Sequence, residues 1–272
     1  MRDILALANK YGNWTRNMQY AGGLAALLDA SLTGIYVCGP VPPASAPTVY
    51  PELYNWTANV VREAIEAEPL FRRWATGLGI KHAHWQVAEG SVEMVLAHAA
   101  NWQDILVLEA GKGNLWGSVQ TLGKILLTSG LPCIVVPEKS HPDAGPGTTA
   151  IAWNGSTESM RAVHAALPLL RKARRVVLLY GERAALPFSS LTWQPPLDVE
   201  QYLKRHDIKF TKRLFDASGD VAGAELLRAA HKAQASLLVM GAYGRSRFSE
   251  WMLGGATLHI LEHSDIPLLL RH

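Results

Sequence analysis

The sequence predicts two tandem α/β units, each a five-stranded parallel sheet with helices on both faces. Three observations predict it. Short apolar runs of strand length alternate with segments whose apolar residues recur at helical spacing, and such alternation implies parallel strands joined by helical crossovers. The order of segments starts again halfway along, after a polar stretch that carries proline and glycine. The length of 272 residues suits two domains of about 135 residues each. Right-handed crossovers place helices on both faces. Ligand is expected beyond the C-terminal ends of the strands, beside the first strand, where the strand order reverses.

The first half reads as follows. Ile4 to Ala8 is a buried strand, and Asn9 to Arg16 a polar loop. Met18 to Leu28 has helical spacing, weakened by Gly22 and Gly23. Leu32 to Cys38 is a second strand, closed by Gly39 and Pro40. Residues 40–51 hold Pro40, Pro42, Pro43, Pro47 and Pro51 and predict irregular structure. Trp56 to Leu78 predicts one long helix with an apolar stripe through Val60, Val61, Ala64, Ile65, Leu70 and Trp74. Ile80 to Val87 is a third strand, and a helix starts at Gly90-Ser91. Asp104 to Leu108 is the fourth strand, Trp116 to Leu127 a helix, and Cys133 to Val136 the fifth strand.

Glu138 to Thr149 is polar, with Pro142, Gly145, Pro146 and Gly147, and reads as a linker between a domain of residues 1–140 and one of residues 148–272. Beyond it, Ala150 to Asn154 echoes Leu5 to Asn9, and Val176 to Gly181 echoes the second strand. Gly219-Asp220 echoes Gly90-Ser91, and Ser236 to Met240 echoes Asp104 to Leu108. Ser264-Asp265-Ile266-Pro267 echoes Ser129-Gly130-Leu131-Pro132, 135 residues earlier.

The composition bounds the function. Nearly half of the residues are hydrophobic and 18% are charged, so the chain can bury a core. Residues 1–140 carry ten Lys and Arg against eleven Asp and Glu, and residues 141–272 carry sixteen against twelve. That balance lets the second half attract an anion but falls short of a nucleic-acid footprint. Cys38 and Cys133 lie in apolar strand runs and read as small core residues, although the sequence leaves a bond between them open. With no leader pattern and no apolar run of membrane length, the expectation is a cytoplasmic protein with no membrane partner.

The densest functional signal is at the end of the chain. An apolar run, Leu237 to Met240, stops at Gly241; Gly244 follows, and ten residues later come Gly254 and Gly255. A helical pattern and a last buried run, Ile266 to Leu270, complete it. Glycines after a strand let backbone N–H groups approach an anion, and the following helix N-terminus adds a favourable dipole. The spacing is neither a Walker A loop, since no lysine–Ser/Thr pair follows a glycine, nor G-x-G-x-x-G.

This run, with its spacing Gly241-x2-Gly244-x9-Gly254, resembles the universal stress protein family, whose nucleotide-binding members carry G-x2-G-x9-G-[S/T]. The hydroxyl position is Gly255 here, a departure. The resemblance extends to both halves in the tandem form of that family. It implies Rossmann-like domains of strand order 3-2-1-4-5, binding of ATP or another adenine nucleotide, and a role in stress response. It also implies a site. Asn154 stands where the family has an aspartate that meets the nucleoside, and asparagine keeps a carbonyl acceptor. Ala152 and Gly181 would flank the base, and Met240 and Gly241 the ribose. Gly244, Gly254, Gly255 and Ala256 would offer N–H groups to phosphate, with Arg245 and Arg247 as cations near the tail. Binding would shift the loop 242–253 and with it a surface for an unnamed protein partner. Domains of this family commonly pair through their last strands, so Cys133 to Val136 is expected against Leu268 to Leu270, with homodimerisation left open.

In the first half, Glu109 replaces the first glycine of the loop, Gly111, Gly113 and Gly117 do not restore the spacing, and a carboxylate there repels phosphate. Nucleotide is therefore expected in the second half alone. The alternative to binding is a nucleotide-free interaction scaffold whose glycines only shape a turn. Slow ATP hydrolysis ranks last, since the motif offers no base and no metal carboxylate. His82 with His84 and His259 with His263 share faces, but no further ligand is placed by sequence and no metal is expected. Ser156, Ser246 and Ser249 lie in no nucleophile elbow, and Ser156 reads as a helix cap. Trp74, Trp85 and Trp102 fit core or interface positions, while Trp153 and Trp251 could line the pocket.

Overall fold

The computed structural model describes residues 1–39, 51–111, 116–140, 144–145, 147–181, 197–215, 221–242 and 255–272, apart from the side chains of 51–56. The chain divides into two compact units. One is Met1–Leu131 with His141–Gly145, and the other is Pro132–Ser140 with Pro146–His272.

The first unit runs β1 (Asp3–Ala8), α1 (Arg16–Leu28), β2 (Ser31–Cys38), α2 (Pro51–Glu66), α3 (Glu68–Gly77), β3 (Ala83–Glu89), α4 (Val92–Ala99), a 3-10 turn (Ala100–Trp102), β4 (Ile105–Ala110) and α5 (Val119–Thr128). Its strands are parallel in the order β3-β2-β1-β4. β1 is central and buried from Ile4 to Ala8, as its unbroken apolar run requires.

Helix α1 passes through Gly22 and Gly23 without a break. The reason is tertiary. A methyl group on Gly22 would stand 2.7 Å from Leu78 Cδ1 and 2.9 Å from Trp74 Cη2, so the entropic cost of glycine in a helix is offset by a close approach to α3.

The long helix expected over 56–78 is two helices, parted at Ala67. Pro69 explains the break: it has no N–H to continue the ladder and is tolerated only in the first turn of α3. The third strand starts at Ala83 rather than Ile80, because the Ile80 N–H donates to the Ala75 carbonyl and closes the end of α3, with Gly79 at a φ of 80°. The helix expected from Trp116 starts at Val119, where Ser118 accepts a hydrogen bond from the Thr121 N–H at 3.2 Å.

An aromatic cluster anchors this unit. Phe71 is fully buried, with ring centroids of Trp14, Trp74 and Trp85 at 5.5, 5.6 and 5.3 Å. The Trp85 indole donates to the Ala64 carbonyl at 2.7 Å. Gly34 on β2 makes room, since a methyl group there would stand 2.9 Å from both the Phe71 and Trp85 rings. Trp102 does not join this core and is 85% exposed.

The second unit contains β5 (Cys133–Pro137), β6 (Thr148–Trp153), α6 (Thr157–Lys172), β7 (Arg175–Gly181), α7 (Val199–Arg205), β8 (Phe210–Phe215), α8 (Ala222–Lys232), β9 (Ala235–Gly241), α9 (Gly255–His263) and β10 (Leu268–Arg271). Its sheet order is β5-β10-β9-β6-β7-β8. The strands β8-β7-β6-β9-β10 are parallel and realise the order 3-2-1-4-5. β5 adds to the β10 edge in antiparallel sense, pairing Cys133 with Leu270, Ile134 with Leu269 and Val135 with Leu268. These two segments, expected to meet, do so, and β5 is buried throughout. The fifth strand of the first sequence copy is thus a strand of the second compact unit.

Both cysteines are buried, and neither is in a disulfide. No helix among the described residues is long and apolar enough to cross a membrane.

Candidate functional site

In the second unit the strand order reverses at β6, which has β7 on one side and β9 on the other. The parallel register brings the C-terminal ends of these three strands together, with Trp153 opposite Tyr180 and Ile151 opposite Val239. Ala152, Asn154, Gly181, Met240 and Gly241 therefore stand at one end of the sheet. Helix α9 connects β9 to its parallel neighbour β10, so its N-terminal residues Gly255 and Ala256 face the same end. Gly244, Arg245, Arg247, Trp251 and Gly254 lie outside the described residues.

The β6–α6 turn is built by its own polar groups. Gly155 adopts a φ of 75°, a conformation that favours glycine. Asn154 is exposed, and its Oδ1 accepts from the Ser156 N–H at 3.1 Å. That bond holds the turn and leaves Asn154 a second Oδ1 lone pair and its Nδ2 donors. Ser156 caps α6, accepting from the Ser159 N–H at 3.1 Å, while Ser159 Oγ donates back to the Ser156 carbonyl at 2.8 Å. Glu158 in the first turn and Arg171 and Lys172 in the last complement the helix dipole. Replacing Ser156 by alanine is expected to cost about 1 kcal/mol. Urea denaturation should show it as a lower midpoint with an unchanged slope.

Gly241 has a packing role that spacing alone did not reveal. A methyl group on it would stand 2.5 Å from the Ser159 nitrogen, 2.6 Å from the Glu158 carbonyl carbon and 2.8 Å from Glu158 Cβ. The end of β9 touches the backbone of the first turn of α6, and only glycine permits that approach. Glu158 is buried by this contact, and its Oε2 has no hydrogen-bond partner among the described residues. Met240 is only 6% exposed, so its side chain belongs to the core rather than to an open site.

Gly255 is different. It is exposed, its φ lies outside the left-handed region, and a methyl group there meets nothing within 4 Å among the described residues. The first N–H groups of α9 have no intrahelical acceptors, which is what an anion requires.

At the corresponding end of the first unit, described side chains bond to one another. Glu109 at the end of β4 accepts from Asn9 Nδ2 at 2.8 Å, so the two positions that echo Gly241 and Asn154 are bonded to each other. Tyr11 donates to Glu63 at 3.0 Å and packs edge-on to Tyr36, with centroids 5.3 Å apart. Burial first, and then the Glu63 carboxylate, push the Tyr11 phenol up to about 12. Burial, with Glu89 beside it, likewise raises the Cys38 thiol. The loop between β1 and α1 spans residues 9–15, against 154–156 between β6 and α6. Both halves of the Asn9–Glu109 pair were visible in the sequence repeat; their bond was not.

Among the described residues, no group of three or more His, Cys, Asp or Glu could hold a metal ion.

A family model, described as the universal stress protein family, matches residues 149–272. The fold is similar to that of a universal stress protein from Archaeoglobus fulgidus DSM 4304, with a TM-score of 0.73 at 13% identity over 98% of this chain and 97% of that one. It is also similar to a functionally unknown protein from Pseudomonas aeruginosa PAO1, with a TM-score of 0.58 at 11% identity over 100% and 92% of the two chains. A universal stress protein in complex with cAMP aligns at a TM-score of 0.34 and 19% identity, over 50% of this chain and 96% of that one. No curated protein sequence matches this chain.

Proposed function

Because residues 149–272 are a universal stress protein domain, we propose that the chain binds an adenine nucleotide, ATP or AMP, through its second unit and acts as a sensor in stress response. The observation that carries this reading is the convergence of Asn154, Gly181 and Gly241 at the ends of three adjacent strands, at the point of order reversal, with α9 starting at the same end. In this reading Ala152 and Gly181 flank the base. Asn154 Nδ2 donates to a ring nitrogen of the base while Oδ1 stays on Ser156. The ribose lies by the backbone of Met240 and Gly241, and phosphate accepts from the N–H groups of Gly255 and Ala256. Gly244, Arg245 and Gly254 complete the phosphate end through the family motif. The first unit takes no nucleotide in this reading, since the Glu109 carboxylate is bonded to Asn9 Nδ2 where the ligand would lie.

Calorimetry of the intact chain with ATP tests it. One site is expected, and it should be weakened by Asn154→Ala. Two equal sites would overturn the asymmetry, and no binding by a folded chain would overturn the function.

The departure at Gly255 gives a sharper test. Serine there regains the hydroxyl that nucleotide-binding relatives carry, and among the described residues nothing stands within 4 Å of where its Cβ would lie. One hydrogen bond to a charged oxygen is worth about 1.5–3 kcal/mol, so Gly255→Ser is expected to tighten ATP binding roughly ten- to a hundredfold. Adenosine, which lacks phosphate, should gain little. Unchanged ATP affinity in the folded variant would remove phosphate from this position.

One observation favours a second reading. Gly241 is demanded by the packing of α6 whether or not a nucleotide binds, as a nucleotide-free interaction scaffold would require. That reading predicts a folded chain with no affinity for ATP, AMP or adenosine.

A further inference from the structure

We propose that the outer edge of β8 is a docking surface for an extended acidic segment of a partner protein, which adds to the sheet as a further strand. In the second unit's sheet β8 is the last strand, paired with β7 on one side and with no described strand on the other. An edge of this kind presents a row of unpaired N–H and C=O groups. The flanking helices leave it open: Thr211, Lys212, Arg213 and Leu214 are exposed in succession, Leu214 by 71%.

Side chains alternate between the two faces of a strand. Lys212 is on the α7 face, where it pairs with Glu200. Arg213 is on the α8 face, where it donates to the Lys232 carbonyl at 3.0 Å. Lys204 and Lys209 are exposed, and neither meets a carboxylate among the described residues. With Lys212 they line a groove of about 590 Å3 where α7 and β8 meet, whose apolar part is Ile208 and Phe210. Its acids are Glu200 and Asp207. Glu200 is already held by Lys212 and by the Tyr180 hydroxyl. With Arg213, the edge carries four cations against these two carboxylates.

The charges choose the occupant. A second copy of β8 laid alongside would bring Lys212 and Arg213 against like charges, which destabilises a pair of strands. Cations on an edge commonly serve to prevent such self-pairing. Phosphates of a nucleic acid would meet the cations, but a phosphate only accepts, so the edge carbonyls would stay unpaired, and Glu200 and Asp207 would repel it. A peptide strand supplies N–H and C=O in the alternation that the edge needs. Acidic side chains on that strand would meet Lys209, Lys212 and Arg213, and its backbone would cover Leu214.

The probe is a capped peptide of alternating Glu and Thr, about eight residues long so that it spans a strand. It is titrated into the intact chain at neutral pH and low salt, with an alternating Lys and Thr peptide as control. The backbone amide signals of residues 210–215 should shift before others, and the outward N–H groups of β8 should gain protection from hydrogen exchange. The control peptide should leave them unmoved. Lys204→Glu combined with Lys209→Glu removes two attractions and adds two repulsions, so affinity should fall about tenfold. No shift at β8 with millimolar acidic peptide would overturn the proposal. Binding without protection of β8, or binding unmoved by the two substitutions, would do the same. Tighter binding of a single-stranded RNA of equal charge would make this edge a phosphate surface instead. The wild-type titrations decide even if the double variant fails to fold, and no outcome depends on nucleotide.

Discussion

Replacing Gly241 by alanine is expected to destabilise the protein by about 3 kcal/mol, the upper end of the usual cost of overpacking. The added methyl would meet the Ser159 nitrogen at 2.5 Å and the Glu158 carbonyl carbon at 2.6 Å. Both are backbone atoms, so no rotamer change relieves the clash. The first turn of α6 is also pinned by the Ser156 cap, so relief requires moving either the helix start or the end of β9. Chemical denaturation without nucleotide is the measurement. A stability equal to that of the wild type would show that α6 retreats freely. A large loss would show that the first glycine of the loop motif serves the fold before it serves any ligand. Weakened ATP binding by a Gly241 variant therefore counts as evidence about a contact only after its stability has been measured.

The second large effect is expected at Phe71. Alanine there should cost about 3–5 kcal/mol, the range for removing a large buried aromatic. Phe71 is fully buried, with ring contacts to Trp14, Trp74 and Trp85. The cavity would open where Gly34 already leaves no side chain to fill it. Collapse of the neighbours is hindered because the Trp85 indole is bonded to the Ala64 carbonyl. Thermal or urea unfolding reads the loss, and tryptophan emission should shift to the red if water enters the cluster. A loss below about 1 kcal/mol would mean that the tryptophans repack into the space.

The alternation of strands and helices was legible because it is local. A strand buried on both faces must be apolar over its length, and Ile4–Ala8, Cys133–Val136 and Leu268–Leu270 are. The Ser156 cap was legible for the same reason, since its partner is three residues away. The long helix over 56–78 was misjudged because the apolar stripe runs on through the break. Pro69 was the local signal that should have outweighed the stripe. Trp102, read as a core or interface residue, is exposed and so is not a core residue, which residue type alone does not reveal.

At the candidate site the division is finer. Which residues end β6, β7 and β9 followed from the repeat and the glycine spacing. What each does there did not. The Asn154 oxygen accepts from the Ser156 N–H, which a dipeptide pattern permits but does not require. Glu109 was read as a charge that repels phosphate, and the structure adds that it is also a partner for Asn9, 100 residues away.

The sequence by itself determined the repeat, the strand runs, the capped start of α6 and the placement of glycines after β9, because each depends on neighbours within a turn or a strand length. The tertiary structure decided which glycines are there for close approach, as at Gly22, Gly34 and Gly241, and which stands open, as at Gly255. It also fixed the antiparallel register by which β5 lies on β10, a pairing that the family resemblance implied. These are distances between segments far apart in the chain, and a glycine's local sequence carries no record of the atoms that will stand opposite its missing side chain.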